Sequence, residues 1–503
     1  MNDEEEKMKR FLLVLLSLGL VMAFSASAFA VDVKVGAEYY VGGLYLNKIS
    51  LDDGFQNWVG RTGSENPSTA FFFQRLRVGT DFVVSPCLKL VTQFDAMERI
   101  WGGARSNTWG VNQDYMFNES AGTRAETENI AMRLGYIEYT SPVGLFRIGY
   151  QEDYVWGTVW ADFGSGTPAG QILYMVPVGP FLFGFDYGKE VSQRYSAVTA
   201  GSYSSTIYNN GYLTDADSNS YRIGSIYNFK GGEAGLLFLL TRNATNRATT
   251  TPFPYGYLQN VYVIDPYVKA KIGPVALQAE ALYWFGDAMK ADGGPGFAGG
   301  NTINISSLSA FVDATANFGT FYVGGSFAYV EGQNPSDFGS KLEGGVSPFS
   351  GGVDWNPCLI MFNTQTLGYW AGGIYGHSAI YGPGSAYVNP IDGEMMNAWF
   401  GQLRGGVKPT PQLDIMASIS YAEADQNGFV ATGPTTVATF PGKTYGTEMD
   451  VTGTYKITNN LSYMLGAGYF FAGDYFKGMN TAFAGGAKVT DDFMIINKLT
   501  LSF

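Results

Sequence analysis

The residue types that most often carry catalysis or bind metal ions are scarce in this chain. His377 is the single histidine, and Cys87 and Cys358 are the only cysteines. No Cys-x-x-Cys-His segment occurs, so the sequence offers no site for covalent haem attachment. Serine nucleophiles usually depend on a histidine base, and zinc sites usually draw on several histidines or cysteines. We therefore predict no catalytic residues, no cofactor and no metal, and we expect His377 to be incidental.

Charged residues form a second group, and their spacing predicts ion selection. Five cations occupy polar positions in segments that alternate between apolar and polar residues: Lys34, Arg75, Arg77, Arg133 and Arg147. The stretch 152–170, which follows the last of these segments, carries three acids: Glu152, Asp153 and Asp162. Cations on one wall of a water-filled passage and acids on the other create a transverse field that sets ion preference. The alternative is that the cations form structural ion pairs with the inward acids Glu38, Asp81 and Asp95.

The elements that carry these residues are predicted to be membrane-spanning strands. Residues 31–42 alternate between apolar and polar side chains, and so do residues 75–84, after which Ser85-Pro86-Cys87 makes a tight turn. Turns with Pro or Gly recur along the chain, separated by long polar or Gly-rich stretches. Membrane strands of ~9–11 residues with short periplasmic turns and long external loops produce this rhythm.

We therefore predict an all-β fold, a transmembrane antiparallel up-and-down β-barrel. The hairpins give about 18 strands, with 16 as the alternative count, since bacterial single-chain barrels have even numbers. The long loop 331–395 leaves the count open. Its pieces CLIMF and YWAGGIYG could pair as strands, or the loop could fold inward and partly fill the lumen.

The composition is typical of a protein in contact with lipid and argues against a soluble enzyme and a nucleic-acid-binding protein. The chain has 33 Tyr, 36 Phe and 66 Gly, and only 15% of its residues are charged. This suits a strand-rich protein whose aromatic girdles lie at the two membrane interfaces, and it does not suit a soluble enzyme of this size. The net charge of −13 and the pI of about 4.7 argue against a nucleic-acid partner.

The first 30 residues are predicted to be a signal peptide. Lys9 and Arg10 precede a short apolar run, and Ala28-Phe29-Ala30 forms a small-residue cleavage site. The acidic residues 1–7 are unusual before such a signal, so Met8 is an alternative start. We expect Sec export, cleavage near Ala30, and a single barrel domain over 31–503, integral to the cell outer membrane.

The chain ends in FMIINKLTLSF, an amphipathic strand that closes on Phe503. This ending resembles the signal by which the barrel-assembly machinery recognises outer-membrane proteins. The mature chain as a whole is similar to Gram-negative porins. The segments FFFQRLRVGTDFVVSPCLKLVTQFDAMERIWG and LGYIEYTSPVGLFRIGYQ resemble porin-like barrels of metal-reducing Deltaproteobacteria. The resemblance implies a homotrimer of water-filled barrels in lipid and lipopolysaccharide.

The porin resemblance also bears on the stretch 152–170, because the loop at this topological place in general porins folds into the lumen. Ala161-Asp162-Phe163-Gly164 is the nearest match to the short acidic motif of that loop. The expected function is a passive diffusion channel for small hydrophilic solutes and ions, with a weak cation preference. Its constriction would be the loop 152–170 facing a basic wall.

Two alternatives to this function stay open. One is a substrate-specific channel, in which Trp156, Trp160 and Trp284 would supply part of an aromatic line. The other is a sheath for a periplasmic multihaem cytochrome. Cys87 and Cys358 are expected at opposite ends of the barrel, too far apart for a disulfide, and so both free.

Overall fold

The structure is a computed structural model that describes residues 31–51, 66, 68–102, 130–162, 168–191, 217–245, 257–291, 302–344, 355–371, 394–431, 436–439, 442–476 and 489–503. The predicted signal peptide, the alternative start at Met8 and the histidine His377 lie outside these residues. Among the described residues, no helix is long and apolar enough to span a membrane.

Eighteen antiparallel strands form a closed barrel. The barrel strands are β1 (Asp32–Leu46), β2 (Thr69–Ser85), β3 (Leu88–Ile100), β4 (Ile130–Ser141), β5 (Gly144–Gln151), β6 (Ala169–Val178), β7 (Phe181–Val191), β8 (Ser218–Phe229), β9 (Gly232–Asn243), β10 (Tyr257–Ile272), β11 (Val275–Ala291), β12 (Ile303–Phe318), β13 (Phe321–Val330), β15 (Ala398–Thr410), β16 (Leu413–Ala424), β19 (Thr444–Lys456), β20 (Leu461–Ala472) and β21 (Asp492–Ser502). The predicted fold class and the count of 18 are thereby confirmed.

The remaining elements are short and lie in the long connections. They are β14 (Lys341–Leu342), the hairpin β17 (Phe429–Ala431) and β18 (Val437–Thr439), a 3-10 turn (Pro335–Asp337), a π turn (Thr364–Gly368) and one α-helical turn (Tyr369–Ala371). The pieces CLIMF and YWAGGIYG, as far as they are described, add no barrel strand. This is why the loop 331–395 leaves the count at 18.

Each barrel strand pairs with its neighbour in sequence, and β1 closes the cylinder against β21. At the seam, the backbone of Phe503 both donates to and accepts from Ala37, at 3.0 and 2.9 Å. Closure of this kind leaves no unpaired strand edge, which a bilayer would not tolerate.

Turns of a few residues join the strands at one end of the barrel, and long connections join them at the other. Bacterial barrels place their short turns in the periplasm, so both ends of the described chain lie on that side. The predicted turn at Ser85-Pro86-Cys87 and the turn at Ser141–Gly144 are both at this end.

The alternating residues divide between a lipid face and an inner face. Large apolar side chains such as Met132, Ile148 and Leu403 stay exposed, while polar side chains such as Gln171 and Asp265 are buried. Exposed aromatic residues cluster near the strand ends, for example Phe321 beside the short turns and Trp399 near the long connections. An apolar outer belt with aromatic margins is what an outer-membrane barrel presents to lipid.

Candidate functional site

The connection after β5 runs inside the barrel, and its described part, residues 152–162, is called the first inner segment below. The Tyr154 hydroxyl donates to Asp265 Oδ2 on β10 at 2.9 Å, and Trp156 Nε1 donates to the Asp265 carbonyl oxygen at 3.3 Å. Trp160 Nε1 donates to Ser309 Oγ on β12 at 3.4 Å. Since β10 and β12 lie far round the cylinder from β5, the segment crosses the lumen.

Glu280 on β11 is the central anchor of the first inner segment. Its Oε2 accepts from the Thr158 amide at 2.8 Å, from the Thr158 hydroxyl, and from the Ala161 amide at 3.3 Å. Trp160 is fully buried beside this anchor and stacks on Phe311, with ring centroids 5.4 Å apart. Polar anchoring and aromatic packing therefore hold the same short stretch, residues 158–161.

Burial is the main cause that raises the pKa of Tyr154 well above its usual value, and the neighbouring carboxyl group of Asp265 adds to it. The phenol therefore keeps its proton and remains a hydrogen-bond donor at any physiological pH. The Tyr154 hydroxyl therefore stays available to donate its hydrogen bond to Asp265 on β10 over this pH range.

The acids of the first inner segment pair with arginines on the wall near its start. Glu152 forms an ion pair with Arg133 on β4, as the charge pattern predicts. Asp153 forms an ion pair with Arg222 on β8, which also binds Asp186 on β7. Arg222 was missed at the sequence level, although a cation in an alternating strand is the same signal that identified the others.

Three of the other predicted cations form ion pairs between neighbouring strands, which is the kind of arrangement that the alternative interpretation described. Arg77 binds Asp95 with two hydrogen bonds of 2.7 and 2.8 Å, and Arg147 Nε lies 2.7 Å from Glu138. Arg75 lies 3.7 Å from Glu38 and 3.8 Å from Glu98. The two-point Arg77–Asp95 pair fixes both partners in direction. Arg75 and Arg147 also face acids on adjacent strands, so all three cations brace neighbouring strands.

Two of the predicted site residues lie at the margins of this arrangement. Lys34 is exposed on β1, directly across from Asp81 of β2 in the strand register. Asp162 is half-buried at the end of the described first inner segment, where its amide donates to the Thr158 carbonyl oxygen at 3.2 Å. Phe503, the predicted insertion signal, lies at the periplasmic seam with 68% of its surface exposed.

A second stretch, residues 355–371, also packs inside the barrel and is called the second inner segment below. The amides of Ile360 and Met361 donate to the two carboxylate oxygens of Glu448 on β19, both at 2.7 Å. Gln402 on β15 donates to the Pro357 carbonyl oxygen at 2.7 Å. The sequence left two outcomes open for the loop 331–395. Its described part 355–371 shows the inward fold.

Aromatic contacts fasten the far end of the second inner segment and link the two segments. Trp370 stacks on Phe73 of β2, with centroids 4.9 Å apart and ring planes 24° apart, and meets Tyr40 of β1 edge-on. Trp355 lies edge-on to Trp160 of the first segment at 5.5 Å. The two segments are thus one packed body across the lumen rather than two independent loops.

The space beside this body is a cavity of about 490 Å³ along the β2–β9 side of the wall. Its charged lining is Asp81, Arg147, Glu152, Asp186 and Arg222, and Tyr136, Tyr154 and Trp156 add aromatic surface. Trp156 is the one predicted lumen tryptophan that lines it, whereas Trp160 and Trp284 are buried at 0% and 6% exposure and are not part of its lining. Of the three tryptophans expected to supply part of an aromatic line, the structure places Trp156 at this cavity.

Both cysteines are free thiols, as predicted. Cys87 is exposed in the first periplasmic turn, whereas Cys358 is buried in the second inner segment. Burial is the largest cause that raises the pKa of the Cys358 thiol well above its usual value, and the acids Glu448 and Asp450 raise it further. Nothing in the sequence pairs Cys358 with these acids, which lie about ninety residues away.

Comparisons with known proteins give a partial family match and several similar barrels. A family model described as alginate export matches residues 371–487. The chain is similar to the outer membrane protein OpdK of Pseudomonas aeruginosa (12% identity, TM-score 0.43, covering 93% of this chain and 99% of that one). It is also similar to the outer membrane channel DcaP of Acinetobacter baumannii (12%, 0.41, 95% and 99%) and the anion-selective porin from Comamonas acidovorans (11%, 0.41, 94% and 99%). No curated protein matches.

Proposed function

We propose that this protein is a passive diffusion channel for small hydrophilic solutes and ions across the outer membrane. The observation that carries the proposal is the first inner segment, which is anchored across the lumen of a closed barrel and borders a cavity lined by charged, aromatic and apolar side chains. That cavity, about 490 Å³, is in the size range of sites for small molecules. A passage of this size would admit small solutes and exclude folded proteins.

The charges around the cavity support a weak cation preference. Asp81, Glu152 and Asp186 line it together with Arg147 and Arg222, so acids outnumber cations there by three to two. Because the cations are paired with acids, the field is local and alternating instead of uniformly positive. Such a lining orients polar solutes while it disfavours apolar ones.

The proposal includes the expected surroundings of a porin. The barrel would assemble as a homotrimer in lipid and lipopolysaccharide, after Sec export and cleavage near Ala30. The C-terminal strand ending in Phe503 would engage the barrel-assembly machinery. The likeness to Deltaproteobacterial barrels stays a prediction from the quoted segments.

Planar-bilayer recording of the purified mature protein tests the proposal. We expect ohmic conductance steps, in triplets for a trimer, and a reversal potential of the cation-selective sign under a KCl gradient. Replacing Arg222 with Gln should strengthen the cation preference, because Asp153 and Asp186 then lose their shared partner. Arg404→Gln is the matched control, since Arg404 binds Asp313 at 2.7 Å and does not line the cavity. Folded protein without conductance would overturn the proposal.

A substrate-specific channel for an acidic polysaccharide is the second candidate. The match of residues 371–487 to a family described as alginate export favours it, and Trp156 and Arg222, which both line the cavity, would offer a ring and a cation to a uronate sugar. Alginate oligomers would then block the single-channel current at concentrations where neutral oligosaccharides of equal length do not. Equal block by both would reject this candidate.

The cytochrome sheath is not favoured by the described part of the lumen. Two anchored segments already occupy the interior that a haem protein would need.

A further inference from the structure

We propose that Cys358, Glu448 and Asp450 form a binding site for one divalent cation of the zinc class, which fastens the second inner segment to the barrel wall. One ligand atom of each side chain, the Cys358 Sγ and a carboxylate oxygen of each acid, lies within 4.8 Å of the other two. Cys358 belongs to the second inner segment, while both acids belong to β19. A cation among them would therefore bridge the segment and the wall.

The three groups are buried and lack a cationic partner. Cys358 and Asp450 are each 3% exposed, and Glu448 is fully buried. Within the described part of the chain, no Lys or Arg side chain forms an ion pair with either acid, whereas Asp313, an acid on β12, has Arg404 as its partner. Two acids buried side by side are costly unless a proton or a cation compensates them.

A separate observation shows that the carboxylates converge on one place. Among the described residues, Asp450 Oδ1 has no hydrogen-bond partner. Both Asp450 Oδ1 and Glu448 Oε1 lie over Gly468 of β20, and Glu448 Oε1 is 3.3 Å from the point that a Cβ there would occupy. The missing side chain at Gly468 leaves these oxygens facing a common space next to Cys358.

The donor set selects the metal. A thiolate is a soft ligand that favours zinc or cadmium over magnesium or calcium, and two carboxylates with a fourth, neutral ligand would complete a tetrahedral set. Glu448 keeps lone pairs for the metal after accepting from Ile360 and Met361, since a carboxylate accepts about four hydrogen bonds. On binding, the Cys358 thiol gives its proton to solvent and the resulting thiolate bonds to the cation.

The experiment uses the full mature protein, folded in detergent, in a Cys87→Ser background in which Cys358 is the one thiol. With Zn²⁺ as the probe, we expect one ion per chain after desalting. With Cd²⁺, we expect the ultraviolet charge-transfer band of a thiolate–cadmium bond. Cys358→Ser should lose the band and bind Zn²⁺ at least ~10-fold more weakly.

Gly468→Ala tests the geometry without removing a ligand, because the added methyl would overlap Asp450 Oδ1. It should lose zinc binding as Cys358→Ser does. Gly401→Ala should retain zinc binding, since nothing lies within 4 Å of a Cβ there. Folded parent protein that binds no Zn²⁺ and shows no Cd²⁺ band would overturn the proposal, and so would unchanged affinity in Cys358→Ser. If Cys358→Ser fails to fold, the band of the parent and its loss in Gly468→Ala decide.

Discussion

The anchor at Glu280 makes the position of the first inner segment open to a direct test by Glu280→Ala. The substitution removes the acceptor of two backbone amides and one hydroxyl, from Thr158 and Ala161. Thr158 is 2% exposed and Ala161 is fully buried, so water does not readily replace the lost partner. The first inner segment then keeps its contacts through Tyr154 and Trp160 but loses its central attachment.

The magnitude follows from the contacts. A buried donor left without its acceptor costs about 1–3 kcal/mol, so the loss of the acceptor for the two buried amides alone weakens the attachment by roughly 4 kcal/mol. At 1.4 kcal/mol per tenfold change, the equilibrium between the attached and detached segment shifts by roughly 10³-fold. A segment that is rarely detached in the parent protein should therefore detach often enough to be recorded.

Single-channel recording measures this shift. We expect Glu280→Ala to show a larger main conductance, or frequent transitions to a larger level, together with faster proteolysis within 152–162. Asp414→Ala is the control, because Asp414 on β16 lies beside a short turn, where it pairs with Lys408 at 3.4 Å and accepts from the Tyr322 hydroxyl at 2.9 Å. If Glu280→Ala conducts like the parent and resists protease equally, Glu280 does not hold the segment in the conducting state.

Three further predictions concern the second inner segment, the cysteines and the seam. Trp370→Ala removes the ring stacked on Phe73 and should weaken the attachment of the second inner segment by about 3–5 kcal/mol. We expect a larger single-channel conductance as a result. The control, Trp399→Ala, changes a lipid-facing ring and should leave the conductance unchanged. A maleimide at pH 8 should label Cys87 in the folded barrel and reach Cys358 only after unfolding, because Cys358 is buried and its pKa is raised; equal labelling of both would contradict the structure. Phe503→Ala should leave the folded barrel stable, because the hydrogen bonds of residue 503 at the seam come from its backbone. It should slow insertion of the barrel by the assembly machinery in proteoliposomes. An unchanged insertion rate would argue against Phe503 as the recognition signal.

The strands and their orientation could be predicted because the side-chain period of a strand is local. Alternation placed Arg77 and Arg133 inward and Ile148 outward without knowledge of any partner strand. In the same way, the tight turns predicted how the strands connect, and the amphipathic last strand predicted closure of the barrel. The even count of 18 followed once the loop 331–395 was kept out of the wall.

The partners across the lumen could not be predicted in the same way. Tyr154 and Asp265 are 111 residues apart, and Ile360 and Glu448 are 88 apart, so no spacing rule connects them. Which inward residue meets an in-folded segment depends on the circumference of the barrel and on the path of the segment across it. For this reason the sequence predicted one constricting loop and left the inward fold of the loop 331–395 as one of two outcomes, while the wall contacts of the second inner segment and its cluster at Cys358 came from the structure.

The sequence by itself thus determined a closed membrane barrel, its inward charges and the end on which its long loops lie. These properties depend on the period of side chains along one strand and on turns of a few residues. The tertiary structure alone decided which inward cations brace the wall and which of them hold the first inner segment. Those outcomes depend on distances across the barrel, which exist only after all eighteen strands have closed.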